Sequence, residues 1–440
     1  MKHIPGSEGW AAAPEATFFT HEGDYIFAKR GTDIEAVIGA GARGQVYAKY
    51  AAEHPDRLRI LAVAEPKQDR RELFCRAYGI PPELAFTSWE ELLARPQMAD
   101  AALICTLDDM HTAPALAALR QGYHILLEKP MSNKEAECRA IARAAEESGR
   151  ILSVCHVLRY TPFYRTIKRL IDEGQIGQVA SLCQIENVGY WHQAHSFVRG
   201  NWRSSKVSPM ILQKSCHDID ILLWLAGQRC TQVASFGSLR HFDAAHAPAG
   251  APERCTDGCP HSEACPYYAP KIYLTDNVGW PTDMLTTDLS YEGRLKALRE
   301  GPYGRCVYRC DNDVVDRQVV ILAFDKGAVA NFTMTAFTTD MARQLKVCGT
   351  KGQITADMNT NTILLHRFGE AKARQIALEA PPQTNNYGHG GGDYFLMQDF
   401  VQAVRQAKSD TLSSAQASLQ SHLICFAAER SRNEKKIVEL

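Results

Sequence analysis

Long apolar runs are missing from this 440-residue sequence. A helix that spans a bilayer needs roughly 20 predominantly apolar residues in succession, so a membrane-embedded protein is excluded as a reading. An excess of one charge is missing too. Lys and Arg number 49 against 50 Asp and Glu, a net charge of -1, so the basic footprint of a nucleic-acid binder is absent. The first thirty residues show no basic start followed by an apolar stretch. No secretory leader is read, and the expected compartment is the cytoplasm. Thiols stay reduced there, which removes a disulfide framework as the explanation for fourteen cysteines. Cys105, Cys155, Cys183 and Cys425 sit singly inside apolar segments and read as small core residues.

What remains has ordinary globular composition, 45% hydrophobic and 22% charged, and a length that suits two or three domains. Residues 1–33 read as an irregular arm. From 34 to 155, short buried strands alternate with helices: Ile34–Ile38, Leu58–Ala64, Ala101–Thr106, His124–Leu127 and Ile151–Cys155, with helices between them. That rhythm predicts a doubly wound parallel sheet. From 156 to 440 the rhythm changes. Helices are expected over Pro162–Glu173 and Ile211–Leu225, and alternating strand-like runs follow one another from Val179 to His366. The expectation is an α/β domain with a large, open, mostly antiparallel sheet. Residues 241–315, rich in Pro, Gly, Cys and charge, read as an insertion.

The first chemical signal is Gly39-Ala40-Gly41-Ala42-Arg43-Gly44, with a strand before it and a helix after it. In that context it is the dinucleotide fingerprint. Gly39 permits the turn, Gly41 lets the backbone approach a pyrophosphate, and Gly44 lets helix and strand pack closely. Phosphates then sit on the positive end of the helix that begins near Arg43. Glu65 lies 21 positions after Gly44, where a carboxylate accepts from ribose hydroxyls and repels an extra phosphate. NAD is therefore expected over NADP, with Lys67, Arg70 and Arg71 nearby as the contrary signal.

Further motifs follow in order: Glu128-Lys129-Pro130, then Cys155-His156-Val157-Leu158-Arg159-Tyr160, then Lys214-Ser215-Cys216-His217-Asp218-Ile219-Asp220. With the glycine loop, they resemble the Gfo/Idh/MocA family, which includes glucose–fructose oxidoreductase and inositol dehydrogenase. The likeness is strong over about residues 34–235 and general beyond. It implies bound NAD(P), a sugar, polyol or glycoside as substrate, and a homo-oligomer, dimer or tetramer, formed through the open sheet. The expected cofactor set is Gly39, Gly41, Arg43, Gly44, Glu65, Thr106, His111, Glu128 and Lys129. Many family members carry an aspartate four residues before the histidine; here that position is Gln213, with Lys214 beside it.

The residues themselves suit the chemistry. Oxidation of a secondary alcohol needs a hydride acceptor and a base for the hydroxyl proton. Lys129 stands at the carboxyl end of a parallel strand, where open α/β sheets place ligands. His217 has the near-neutral intrinsic pKa of a general base. Lys214 and His217 are expected on one helical face at i and i+3, with Lys214 as the histidine's partner or as the base itself. Arg159, Tyr190, Trp202, Asp218 and His389 complete the expected substrate set, the aromatics as faces for a sugar ring. Asp393 reads as the N-cap of the helix after Gly392. Two other readings stay open: a redox-neutral NAD-dependent glycosidase, and a non-catalytic NAD-sensing binding protein.

In the insertion stand Cys255, Cys259 and Cys265, with Cys306 and Cys310 farther along. Four of these five thiolates are expected to hold a structural zinc, with an iron–sulfur cluster as the minor alternative.

Overall fold

The computed structural model describes residues 17–19, 25–27, 33–378, 387–408 and 411–440. The expected N-terminal arm lies largely outside the described residues; within it, strands β1 (Thr17–Phe19) and β2 (Tyr25–Phe27) pair antiparallel. The chain forms two compact units. One holds Met1–Glu128, Ala140–Cys155 and Asp393–Ala415, the other Lys129–Arg139, His156–Gly392 and Gln416–Leu440.

The first unit is built on six parallel strands: β3 (Asp33–Ile38), β4 (Leu58–Ala64), β5 (Ala85–Phe86), β6 (Ala101–Ile104), β7 (His124–Leu127) and β8 (Leu152–Val154), in the order β5-β4-β3-β6-β7-β8. Strand order reverses between β3 and β6, which places a topological switch point there. Six of the seven residues of β4 and all four of β6 are buried, as expected of strands covered on both faces. Helices α1 (Ala42–Glu53), α2 (Gln68–Tyr78), α3 (Trp89–Leu93) and α4 (Thr112–Gln121) connect them. Gly79 and Gly122 stop α2 and α4 in the left-handed conformation that glycine adopts without strain. Past α5 (Glu135–Ser148) the chain enters β8, and late in the sequence it returns to this unit, where Val154 N donates to Ser413 O at 2.8 Å.

The second unit begins with α6 (Pro162–Asp172), whose N-cap Thr161 accepts from Tyr164 N. Its sheet has nine strands. They are β9 (Val179–Asn187), β10 (Cys230–Ser238), β11 (Arg317–Phe324), β12 (Val329–Thr335), β13 (Ala342–Gly349), β14 (Gly352–Asp357), β15 (Thr362–Arg367), β16 (Arg374–Gln375) and β17 (Val438–Glu439). The order is β16-β15-β14-β13-β9-β12-β11-β10-β17, and every pair is antiparallel except β9 with β12. Burial alternates along β11 and β12, so one face is covered and the other open. The covered face meets α6 and α9 (Cys216–Ala226) in a core that includes Leu182, Ile219, Leu222, Val320 and Phe332.

Two expectations are corrected. The helix predicted over Ile211–Leu225 is broken: α8 covers Met210–Gln213, and α9 starts at Cys216. Ser215 O accepts from the amides of Asp218 and Ile219, which begins a new helix, while Ser215 Oγ bonds Glu186. A buried carboxylate on a neighbouring strand thus overrides the continuous pattern. Asp393 is also not an N-cap. It lies inside the first turn of α12 (Gly392–Gln406), and its carboxylate is spent on Arg43.

Candidate active site

At the end of β3 the glycine loop meets the segment after β6. Gly39 has φ +95°, and a Cβ there would stand 2.6 Å from Cys105 O. A Cβ on Gly44 would stand 2.2 Å from Gly39 O. The fold itself therefore requires both glycines. Gly41 is different: its φ is ordinary, and a Cβ would meet nothing within 4 Å. Protein packing gives no reason for its bareness, whereas a pyrophosphate lying against the backbone does. Gly41 is also the N-cap of α1, so it supplies no side-chain cap, and the first turn has no acidic residue. Thr106 Oγ1 is buried with no partner among the described residues. These features fit a dinucleotide.

Glu65, at the end of β4, is buried, and its two carboxylate oxygens accept from the amides of Ala40 and Lys67, each at 3.0 Å. Its position is thereby fixed to the glycine loop. Arg71 is turned to the carbonyls of Glu65 and Pro66. His111 is buried, with Nε2 3.1 Å from Thr106 O, and steadies the segment after β6. Arg43, expected in the cofactor set, is bound to two carboxylates of the protein. Its Nε donates to Glu128 at 2.8 Å and its Nη2 to Asp393 at 2.5 Å. Glu128 also accepts from Tyr47 at 2.8 Å, so it belongs to the same ion-pair network.

The second unit carries the proton-handling candidates. Lys129, before a cis peptide bond to Pro130, donates to Gln213 O at 2.6 Å. His217 is buried, its ring 5.8 Å from that of His156 and 5.9 Å from that of His389. Burial, then the charges of Lys129, His156, His389 and Arg343, holds its pKa well below the usual value for histidine. The ring is therefore neutral near pH 7, and Nδ1 has no partner among the described residues. Lys214 is not joined to it. The helix break separates the two residues, and Lys214 Nζ stands 3.5 Å from Glu186. Burial, aided by Arg343 and Lys129, lowers the Lys214 pKa, against the pull of Glu186.

Sequence reasoning missed the group that organises this region. Arg343, on β13, donates to Glu186 at 2.6 Å and to both oxygens of Asp218 at 2.7 and 3.0 Å. One guanidinium thus serves two buried carboxylates. Burial, with Glu186 adding to it, pushes Asp218 up to about 7, while Arg343 and Lys214 hold Glu186 below the usual range. The available signal was on β9, where the inward positions read Leu182, Gln184, Glu186.

Two expected substrate residues stand in such pairs. Asp218 is one; Arg159 is the other, bound through Nε and Nη2 to both oxygens of Asp220 at 2.6 and 2.7 Å. Both are buried, and their polar atoms are committed to the fold. Tyr190 is partly exposed in a short helix (Tyr190–His192), its ring 5.9 Å from Tyr267. Trp202 packs on the core beside Phe197. His389 is exposed, at φ 54°.

The five cysteines divide. Cys255, Cys259, Cys265 and Cys306 line one small cavity, while Cys310 Sγ is turned to Cys306 O at 3.3 Å. Among the described residues, no three His, Cys, Asp or Glu side chains already stand as a metal-ligand set.

Strand order and glycine loop together define a Rossmann-type dinucleotide-binding fold. Residues 35–156 match the NAD-binding Rossmann fold of the Gfo/Idh/MocA oxidoreductase family, and residues 168–440 match its C-terminal alpha/beta domain. The chain belongs to that family and is an NAD-dependent oxidoreductase. It is 26% identical to YteT of Bacillus subtilis over 365 residues, 81% of this chain and 84% of that protein. It is 32% identical to the inositol 2-dehydrogenase of Streptomyces avermitilis over 217 residues, 49% of this chain and 58% of that enzyme. Levoglucosan dehydrogenase in complex with NADH and levoglucosan shares the fold, with TM-score 0.70, 19% identity, and coverage of 93% of this chain and 99% of that one. Among the described residues no helix is long and apolar enough to cross a membrane.

Proposed function

We propose that this protein is an NAD-dependent dehydrogenase that oxidises a secondary alcohol of a sugar, inositol or related polyol. The observation that carries the reading is a buried, neutral His217 whose Nδ1 has no hydrogen-bond partner among the described residues, set in the electrostatic reach of Lys129. The names of the inositol 2-dehydrogenase and levoglucosan dehydrogenase relatives support the substrate class. When bound, NAD supplies the hydride acceptor. Gly39, Gly41, Gly44, Glu65 and Thr106 would hold it: the loop amides take the phosphates and the Glu65 carboxylate takes the ribose hydroxyls. His217 receives the hydroxyl proton as the C–H electron pair leaves, and Lys129 stabilises the developing alkoxide. A screen of sugars and polyols that follows reduced nicotinamide tests the reading. Product release from glycosides without net NADH would instead establish the redox-neutral alternative.

The cofactor assignment has its own test. Gly41→Ala should fold normally, because its Cβ meets nothing, yet weaken NAD binding at least several-fold. Glu65→Ala should narrow a preference for NAD over NADP. Fluorescence titration with both nucleotides checks both. Tighter NADP binding by the unmodified protein, or unchanged NAD affinity in Gly41→Ala, would refute the assignment.

The same reading includes a homo-oligomer through the open sheet face. Phe236, Val319, Ile321 and Val329 are exposed there, and Phe236 and Val319 are direct cross-strand partners. Exposed apolar residues on one sheet face support an interface there. Sedimentation equilibrium should give a multiple of the 48.9 kDa chain mass, and Phe236→Lys should lower it. A monomer at micromolar concentration would end the idea.

A further inference from the structure

Residues 241–315 contain no strand of the nine-stranded sheet and hold only small apolar clusters, one around Phe242, Tyr267 and Val307, another around Tyr273 and Leu298. A segment with so little core needs another source of order. Its cysteines converge from separate stretches. The amide of Cys255 donates to Gly304 O, and that of Cys306 donates to Glu253 O, both at 2.9 Å, so two strands of chain are clipped side by side. Cys255 and Cys306 are buried, Cys259 and Cys265 half-buried. The cavity that all four line has a volume of about 20 Å³. That is room for roughly one water-sized particle.

A second observation points at the same spot. Arg199 closes a π-helical turn (Gln193–Arg199) and is fully buried. Its Nε donates to Arg305 O and its Nη2 to Tyr267 O, both at 2.7 Å; Nη2 also lies 3.6 Å from Cys255 Sγ. Among the described residues Nη1 has no hydrogen-bond partner, and the guanidinium makes no ion pair. The polar neighbours of this fully buried cation are thus the Cys255 sulfur and backbone carbonyls, and a buried charge is retained only when compensated. The cavity that it lines is where the compensation belongs.

We propose that Cys255, Cys259, Cys265 and Cys306 bind one zinc ion as thiolates, with Arg199 as the countercharge. Binding releases four protons and leaves a net charge of about -2 on the tetrathiolate centre, which the guanidinium offsets through N–H donation to sulfur. The four sulfurs do not yet form a ligand set, so the ion draws them inward to about 2.3 Å as it staples the two stretches of chain. The small cavity selects a single ion over an iron–sulfur cluster, which needs space for several atoms. The site is structural, remote in role from hydride transfer. Its ligands leave out Cys310, which is turned away.

Elemental analysis of the full-length protein, purified without chelator, should give close to one zinc per chain. Exchange with Co²⁺ should produce the sulfur-to-cobalt charge-transfer absorption of a tetrahedral tetrathiolate. That measurement uses the unmodified protein and does not depend on any variant folding. Cys310→Ser should keep the metal, Cys306→Ser should lose it, and Arg199→Met should give it up to a chelator at least several-fold faster. Zinc far below one equivalent with no cobalt spectrum would overturn the proposal. So would stoichiometric iron and sulfide, or equal loss of metal in Cys310→Ser and Cys306→Ser.

Discussion

Replacing His217 by Ala should cut kcat by about 10²-fold or more, the usual scale for removing a general acid–base group, while NAD affinity changes little. The nucleotide is assigned to the glycine loop, so a fall in turnover without a fall in NAD binding separates proton transfer from cofactor loss. Lys129→Ala should give a deficit of the same order, through loss of alkoxide stabilisation. The pH profile supplies a readout that a purely structural histidine would not move. Burial and four neighbouring cationic or histidine groups depress the pKa of His217, so the ring stays neutral as pH falls through 6.5. The acid limb of kcat/KM should therefore lie well below that of an ordinary histidine, and His217→Ala should abolish it. Lys214→Ala should cost less than His217→Ala, because the Lys214 ammonium stands on Glu186 and no hydrogen bond joins it to the histidine. Equal losses in the two single variants, with a double variant no worse, would instead make Lys214 and His217 one proton-handling unit. Near-full activity in His217→Ala would remove the histidine from the mechanism.

Arg343→Met should be the most destabilising single change in the second unit outside its apolar core. It removes the shared cation of Glu186 and Asp218 and leaves two carboxylates buried among Gln184, Ser215 and Lys214. Breaking a buried pair by removing one partner costs about 3–5 kcal/mol. The sign of the pH dependence follows from burial. Asp218 already sits at about 7 with Arg343 present, above its unfolded value of 3.8. Without the guanidinium Asp218 rises further, and Glu186 loses the main charge that holds it down. A folded-state pKa raised above the unfolded one gives stability that is present at low pH and lost as pH rises through the folded value. The deficit should thus be larger at pH 8 than at pH 6. Urea unfolding at the two values checks it; an equal deficit at both, or one below about 1 kcal/mol, would show that the carboxylates are compensated elsewhere.

Legibility differed among the groups for physical reasons. The glycine loop was readable because backbone sterics act locally: Gly39 needs its positive φ, and Gly44 needs to touch Gly39, within six residues. The place of Glu65 just after a strand was readable because the buried apolar run stops there. The pairings of Arg43 and Arg159 were not. Each carries the right charge for a ligand, but their partners, Asp393 at 350 positions and Asp220 at 61, are far along the chain. Arg343 gave no local signal at all, being an arginine on an alternating strand; only the inward Glu186 of β9 hinted at a buried cation. The i, i+3 argument for Lys214 and His217 failed because it assumed a continuous helix, and the pull of Glu186 on Ser215 interrupts it.

By itself the sequence determined the alternation of strand and helix over residues 34–155, the change to strand-after-strand order beyond them, and the place of the dinucleotide loop. These depend on hydrophobic period, on glycine sterics and on turn chemistry, all of which act over a few residues. Only the tertiary structure decided that β9 lies between β12 and β13, parallel to the first and antiparallel to the second. It alone decided which charged side chains face a ligand and which are spent on one another. A buried charge takes whichever opposite charge the packed chain brings within about 4 Å, and sequence separation has no bearing on that distance.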